Sequence, residues 1–210
     1  MEQILLTGGT GFLGKVVLEE LLRRRDELSI EKIYCLIRPR RTQTAEKRFQ
    51  KEIKRSRCFD NHTTKSWEGI VSVEGDLTLE NCGLSDADIA NLSQNITHVI
   101  HCAASVEFDL PVEKAAKANI SAALKTLELA KRFKNLQHMV SVSTAYVNKP
   151  TEGRLPIEEK IVPLPRPASW LLKDIEENPR QAETWIEKCG YPNSYTFTKC
   201  LTEHLLVENK

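Results

Sequence analysis

Two side chains late in the chain, Tyr195 and Lys199, stand four residues apart in Tyr195-Thr196-Phe197-Thr198-Lys199, a spacing that puts a phenol and an ammonium on one face of a helix. A free phenol titrates near ~10 and exchanges protons poorly at neutral pH unless a neighbouring cation stabilises the phenolate. Lys199 supplies that cation, so the pair reads as a proton donor to an oxygen that gains negative charge. Upstream, Ser141-Val142-Ser143-Thr144-Ala145-Tyr146-Val147 brings hydroxyls to a strand end, and either Thr144 or Ser143 would hold a carbonyl against Tyr195. A Tyr/Lys pair at this spacing arises readily by chance. Its place after a hydroxyl-bearing strand end gives it weight.

At the other end, Thr7-Gly8-Gly9-Thr10-Gly11-Phe12-Leu13-Gly14 follows a short apolar run at 3–7 and opens a helical pattern (Phe12, Val16, Val17, Leu21, Leu22) over 12–25. Two glycine patterns coexist: G-x-x-G-x-x-G through Gly8, Gly11 and Gly14, and G-x-G-x-x-G through Gly9, Gly11 and Gly14. Spacing does not choose between them. Either allows positive φ, close approach of backbone to a pyrophosphate, and a helix N-terminus aimed at the anion. A nicotinamide dinucleotide, as hydride donor, then complements the Tyr/Lys pair in reducing a carbonyl.

The end of the second strand faces the adenosine ribose in such sites. An acid there would accept the 2′-hydroxyl of NAD; this chain offers Arg38, then Arg40 and Arg41, which suit the 2′-phosphate of NADP(H). Asp76, after the third strand, is placed to hydrogen-bond adenine. Ala103 and Ala104 put small residues beside the cofactor after the fourth strand, and Asn119 reads as a structural or water-holding amide.

The elements that position these residues alternate. Strands are expected at 3–7, 32–37, Ile70–Glu74, 97–102 and 138–143, with a charged surface helix at 45–55, a helix opened by a Ser85 cap, and a long amphipathic helix at 112–133. Such alternation specifies an α/β fold: a Rossmann-like doubly wound parallel sheet with helices on both faces, C-terminally truncated here. Ligands bind at the carboxyl ends of its strands. Residues 1–210 form one NAD(P)-binding domain, with an irregular loop and helix insertion over 150–192. Five prolines fall between 150 and 167, a helix is expected at 174–188, and Gly190-Tyr191-Pro192-Asn193 breaks the chain before a last helix from Ser194 that runs to the end.

Composition excludes several classes. A net charge of +1 calls for no nucleic-acid partner, and no apolar run approaches the roughly 18 residues of a membrane span. The six cysteines form no C-x-x-C or zinc spacing, so no metal site is expected and the thiols read as reduced. The sequons at Asn61, Asn91, Asn95 and Asn119 read as chance, since no signal segment precedes the first strand.

With these residues in view, the chain resembles the extended short-chain dehydrogenases, and among them the fatty acyl-CoA reductases. The resemblance rests on Thr7–Gly14 (numbers 7–14), Ile37-Arg38-Pro39, Val73-Glu74-Gly75-Asp76-Leu77, His101-Cys102-Ala103-Ala104, Val142-Ser143-Thr144-Ala145-Tyr146-Val147 and Asn193-Ser194-Tyr195-Thr196-Phe197-Thr198-Lys199, which span nearly the whole chain. It implies NADPH-dependent reduction of a long-chain fatty acyl-CoA to a fatty alcohol through an aldehyde, with Thr144 as catalytic hydroxyl, Ser143 as its fallback, Tyr195 as acid and Lys199 also on the cofactor ribose. It adds Leu77 to the cofactor contacts. It also implies a peroxisomal or endoplasmic-reticulum setting, with membrane association through a C-terminal region beyond this chain. Two departures stand out: the segment between Phe59 and Val71 is short for the family, and the chain stops at Lys210, before the strand, loop and acyl-binding part that complete the pocket. Other readings keep the fold but take a carrier-bound thioester or a sugar nucleotide, or make the chain an inactive cofactor-binding fragment.

Overall fold

The computed structural model describes residues 1–148 and 157–210. In chain order the regular elements are β1 (Glu2–Thr7), α1 (Phe12–Arg23), β2 (Ile30–Ile37), α2 (Ala45–Arg48), β3 (Ile70–Glu74), α3 (Asp86–Asn95), β4 (His98–His101), α4 (Val112–Ala116), α5 (Ala122–Ala130), β5 (His138–Ser141), α6 (Ala168–Glu177), α7 (Pro179–Ala182), α8 (Thr184–Lys188) and α9 (Ser194–Glu208). They form two compact units, one of Met1–Ala103 with Lys125–Val142, the other of Ala104–Leu124 with Ser143–Lys210.

The first unit holds a five-stranded sheet in the order β3-β2-β1-β4-β5, every pairing parallel. The architecture is Rossmann-like. The chain builds outward from β1 to β3, then returns to lay β4 on the other side of β1. That reversal leaves a crevice at the carboxyl ends of β1 and β4, where ligands of such sheets bind. Consecutive residues of β1 and β2 are buried, so both faces of the sheet centre are covered, and the strands read as continuous apolar runs. One face carries Ile4, Leu6, Ile33, Cys35 and Ile37 packed with Leu18, Leu21 and Leu22 of α1 and with Phe49, Ile53 and Phe59. Burial pushes the Cys35 thiol up to about 12, which makes it a core side chain at neutral pH.

Several elements differ from the sequence expectation, each for a local reason. The buried stripe of α1 is Gly14, Leu18, Leu21 and Leu22; Phe12 and Val16 face outward, because both stripes satisfy helical spacing and only packing selects one. The helix expected at 45–55 is α2 followed by a π-helical segment, Phe49–Lys54, which buries Phe49 and Ile53 and so is no mere surface helix. The long helix at 112–133 is α4 and α5 joined by a π-helical segment, Lys117–Ser121, and closes at Ala130. The helix expected at 174–188 starts earlier, at Ala168, and breaks at Asn178, because Pro179 lacks an amide hydrogen and keeps the preceding residue out of helical geometry. Helix α9 closes at Glu208 rather than running on, with the Asn209 amide donating to the Leu205 carbonyl. Of the proline-rich stretch, 150–156 lies outside the described residues, and 157–167 contains no helix or strand.

The second unit has its own core, in which Leu171 and Ile175 of α6 meet Phe197, Leu201 and Leu205 of α9 and Val112, Ala116 and Ile120. Among the described residues no helix is long and apolar enough to cross a membrane.

Candidate functional site

The turn between β1 and α1 is built around backbone contacts that exclude side chains. Gly8 has φ +75°, and a Cβ there would lie 2.6 Å from the Ala103 nitrogen and 2.7 Å from the Cys102 carbonyl carbon. A Cβ on Gly14 would fall 2.2 Å from the Gly8 oxygen, and one on Gly11 would lie 3.2 Å from the same oxygen, which accepts the Gly11 N–H at 2.9 Å. Gly9 is different: a Cβ would meet only the Leu6 and Ile53 side chains, at 3.7 Å. The structural requirement therefore runs through Gly8, Gly11 and Gly14.

No side chain caps α1, so the amides of its first turn, Phe12, Leu13 and Gly14, remain available. A glycine-walled cradle with free amides and the positive end of a twelve-residue helix fits a dinucleotide pyrophosphate. Thr7 is buried, its Oγ1 hydrogen-bonded with His101 Nδ1 at 2.9 Å and accepting the Ala103 N–H at 3.4 Å, so it ties the end of β4 to β1. Thr10 is partly exposed, Leu13 is exposed, and Phe12 is 88% exposed.

Arg38 follows β2, and Arg38, Pro39, Arg40 and Arg41 are all exposed around an open recess completed by Thr42 and Gln43. Arg40 and Gln43 exchange backbone hydrogen bonds that fold the loop on itself. The loop is anchored by a residue sequence reading missed. Arg48, 4% exposed, donates to Glu52 Oε1 at 2.8 Å and Oε2 at 2.7 Å and to the Arg38 carbonyl at 2.5 Å. Nothing in the local pattern separates Arg48 from the other basic residues of its helix.

The hydrogen bond from Arg48 holds the Glu52 carboxyl below the usual carboxylate range. A carboxylate whose folded pKa is depressed contributes stability above its unfolded value near ~4.3, and that contribution disappears as pH falls through the folded value. Arg48→Ala is therefore expected to cost about 1.5–3 kcal/mol at pH 6 and clearly less at pH 3, read by urea denaturation at both. An equal cost at both pH values would refute the coupling.

Asp76 is held by its own turn: Oδ1 accepts from the Thr78 amide at 2.9 Å and hydroxyl at 2.8 Å, and the Asp76 N–H donates to the Cys82 carbonyl at 2.7 Å. Among the described residues Oδ2 makes no hydrogen bond, which leaves it for a ligand donor. The Leu77 side chain is buried, so only its backbone can meet a cofactor. Ala103 ends the first unit beside Gly8, and Ala104, exposed, begins the second.

In the second unit Asn193 caps α9, its Oδ1 accepting the Thr196 N–H at 2.9 Å, which places Tyr195 in the first turn, half-buried. Lys199 follows one turn later and is 3% exposed. The turn between them is braced from the π-helical segment: Asn119, 2% exposed, donates through Nδ2 to Thr198 Oγ1 at 3.0 Å and accepts the Ser105 N–H at 2.8 Å. Such π-segments inside α-helices are frequent at functional sites. Thr144 is partly buried; its Oγ1 accepts the Tyr146 N–H at 3.3 Å and still holds a proton to donate. Ser143 Oγ is buried and makes no hydrogen bond among the described residues, a state that costs about 1–3 kcal/mol unless a ligand oxygen relieves it. Both hydroxyls thus remain chemically available. Phe108, whose ring lies 5.7 Å from that of Tyr195, carried no signal in sequence, because its partner is remote in the chain.

A cradle of this shape on a 3-2-1-4-5 parallel sheet defines a Rossmann-type nicotinamide-dinucleotide-binding protein. The chain belongs to the male sterility protein family of NAD-binding domains, whose model matches residues 6–210. It is 33% identical to fatty acyl-CoA reductase 1 of Gallus gallus over 213 residues, covering 99% of this chain and 40% of that protein. To fatty acyl-CoA reductase 2 of Bos taurus it is 32% identical, covering 96% of this chain and 39% of that protein. The terminal R domain of the myxalamid PKS-NRPS biosynthetic pathway superposes with a TM-score of 0.72 at 31% identity, over 99% of this chain and 45% of that one. The chain thus spans about two-fifths of the length of the curated relatives it matches.

Proposed function

We propose that this chain is the cofactor-binding and catalytic part of an NADPH-dependent reductase that converts a long-chain fatty acyl-CoA to a fatty alcohol through the aldehyde. The observation that carries the reading is the pairing, on α9, of a half-buried Tyr195 phenol with a buried Lys199 ammonium one turn away, in a chain a third identical to proteins named fatty acyl-CoA reductase.

In this reading the α1 amides and the Gly8–Gly11–Gly14 turn bind the pyrophosphate, Arg38 the adenosine 2′-phosphate and Asp76 the adenine. Thr144, or Ser143 in its place, holds the thioester carbonyl against Tyr195. When bound, the reduced nicotinamide supplies hydride to the thioester carbon. Tyr195 gives its proton to the carbonyl oxygen, and Lys199 stabilises the phenolate left behind. As the carbon–sulfur bond cleaves, the new hydroxyl returns its proton to the Tyr195 phenolate, CoA leaves as the thiolate and the aldehyde remains. A second round with the same residues consumes another NADPH and proton and yields the alcohol.

The test uses the full-length protein with hexadecanoyl-CoA, following NADPH oxidation and free CoA thiol together. The reading predicts two NADPH oxidised per thiol released; no thiol release would overturn it. Cofactor choice has its own test. Arg38→Ala is expected to weaken NADPH binding about tenfold to hundredfold and leave NADH binding alone, because it removes a charge-assisted contact to a phosphate that NADH lacks. Equal losses for both, or none, would count against NADPH. The likeness to the myxalamid R domain supports a second reading, a carrier-bound acyl thioester, which faster turnover of an acylated carrier protein than of acyl-CoA would favour.

A further inference from the structure

The segment from Ala104 to Pro111 has no regular structure, yet it is pinned along its length. The Ser105 N–H donates to Asn119 Oδ1 at 2.8 Å, the Glu107 N–H to Ser105 Oγ at 3.4 Å, and the Ser194 hydroxyl to the Phe108 carbonyl at 3.2 Å. Beyond it, the Val112 N–H donates to Glu183 Oε1 at 2.8 Å. Ser194 is buried and directly precedes Tyr195. One hydrogen bond therefore ties the backbone of Phe108 to the first turn of α9, and the Phe108 ring lies 5.7 Å from the Tyr195 ring at an interplanar angle of 36°.

Phe108 is 56% exposed, and Val106 two residues earlier is 68% exposed. An aromatic ring held at a fixed place with most of its surface in water is an apolar contact waiting for a partner. The partner's chemistry follows from the flanks. Glu107 and Asp109, both exposed, stand on either side of Phe108 and repel the phosphates of a CoA headgroup. What suits the ring is the uncharged, apolar part of the substrate. A thioester whose carbonyl oxygen is hydrogen-bonded by Tyr195 carries its first methylenes within a few ångströms of the phenol, where Phe108 stands.

We propose that Phe108, assisted by Val106, forms the wall against which the acyl chain leaves the reaction centre, and so determines preference for long apolar chains. This rests on the assignment of Tyr195 as the acid of an acyl-CoA reductase.

The test measures kcat/KM of the full-length enzyme with NADPH for a series of acyl-CoA thioesters from butanoyl to hexadecanoyl. In the wild type kcat/KM should rise with chain length. Phe108→Ala should flatten that rise, lowering the ratio of hexadecanoyl to butanoyl at least tenfold, chiefly through KM, and Phe108→Leu should restore most of it. An unchanged ratio overturns the proposal. So does a uniform fall at all lengths carried by kcat, which would mean that the ring only braces Tyr195. Should Phe108→Ala fail to fold, Phe108→Leu and Val106→Ser report the same ratio: it must fall in Val106→Ser and hold in Phe108→Leu. A wild type that turns over none of the thioesters overturns the reductase reading itself, and this inference with it; a working wild type with unaltered variants overturns the inference alone.

Discussion

Tyr195→Phe is expected to lower kcat of the full-length enzyme about 10²–10⁴-fold while leaving NADPH affinity within about twofold. The change removes one hydroxyl from a side chain on a first turn whose backbone the Asn193 cap already holds, so the backbone of α9 has no reason to move. On the proposed reading, what disappears is the proton that neutralises the oxygen as hydride arrives. Lys199, buried one turn away, acts in that reading by stabilising the phenolate rather than by protonating the substrate, so it does not replace the lost hydroxyl. Isothermal titration with NADPH and single-turnover absorbance measurements separate the two effects. A variant that turned over at a tenth of the wild-type rate or faster would remove Tyr195 from the chemistry; one that also lost NADPH binding would point to a structural role instead.

The second large effect concerns the turn after β1. Gly8→Ala should destabilise the protein by about 2–5 kcal/mol, from roughly 1–2 kcal/mol for a side chain at positive φ and about 1–3 kcal/mol for overlap with the backbone that follows β4. The overlap cannot be relieved by rotating a side chain, because the atoms it meets, at 2.6 and 2.7 Å, are the Ala103 nitrogen and the Cys102 carbonyl carbon. Either the segment after β4 moves away or the turn opens, and both changes spoil the pyrophosphate cradle, so cofactor binding should fall with stability. Gly9→Ala, next in sequence, should melt within a few degrees of the wild type, because its Cβ would touch only side-chain methyls at 3.7 Å. Thermal unfolding of the two variants side by side decides the matter. Equal melting temperatures would refute the assignment of the structural glycine to Gly8.

Much of this was legible in the residues. Apolar runs a few residues long alternating with helical spacing made the parallel sheet readable, because a buried strand and an amphipathic helix each carry their pattern within their own length. Less legible were the places where two patterns fit equally well. Phe12 and Val16 satisfy the helical period as well as Gly14, Leu18, Leu21 and Leu22 do, and only the sheet face beneath α1 selects the second set. The π-helical segment at Lys117–Ser121 was invisible, because nothing in Lys117-Ala118-Asn119-Ile120-Ser121 departs from ordinary helical composition; its visible consequence is an Asn119 amide paired at both ends. Arg48 looked like any other basic residue of its helix, although it is buried and bound to Glu52 and the Arg38 carbonyl.

By itself the sequence carried the residue patterns on which the proposed chemistry rests. A phenol and an ammonium one turn apart, hydroxyls at a strand end and a glycine-rich turn opening a helix are properties of short segments, governed by spacing and side-chain type. The tertiary structure decided which members of those segments matter. Gly8 is required because the backbone of Cys102 and Ala103, just after β4, passes within van der Waals reach of it, a contact between segments far apart in the chain. Phe108 faces Tyr195 because Ser194 holds its carbonyl from across an equally long stretch of sequence. Spacing along one element is set by local backbone geometry. Contact between elements is set by how the whole core packs, and no single segment contains that information.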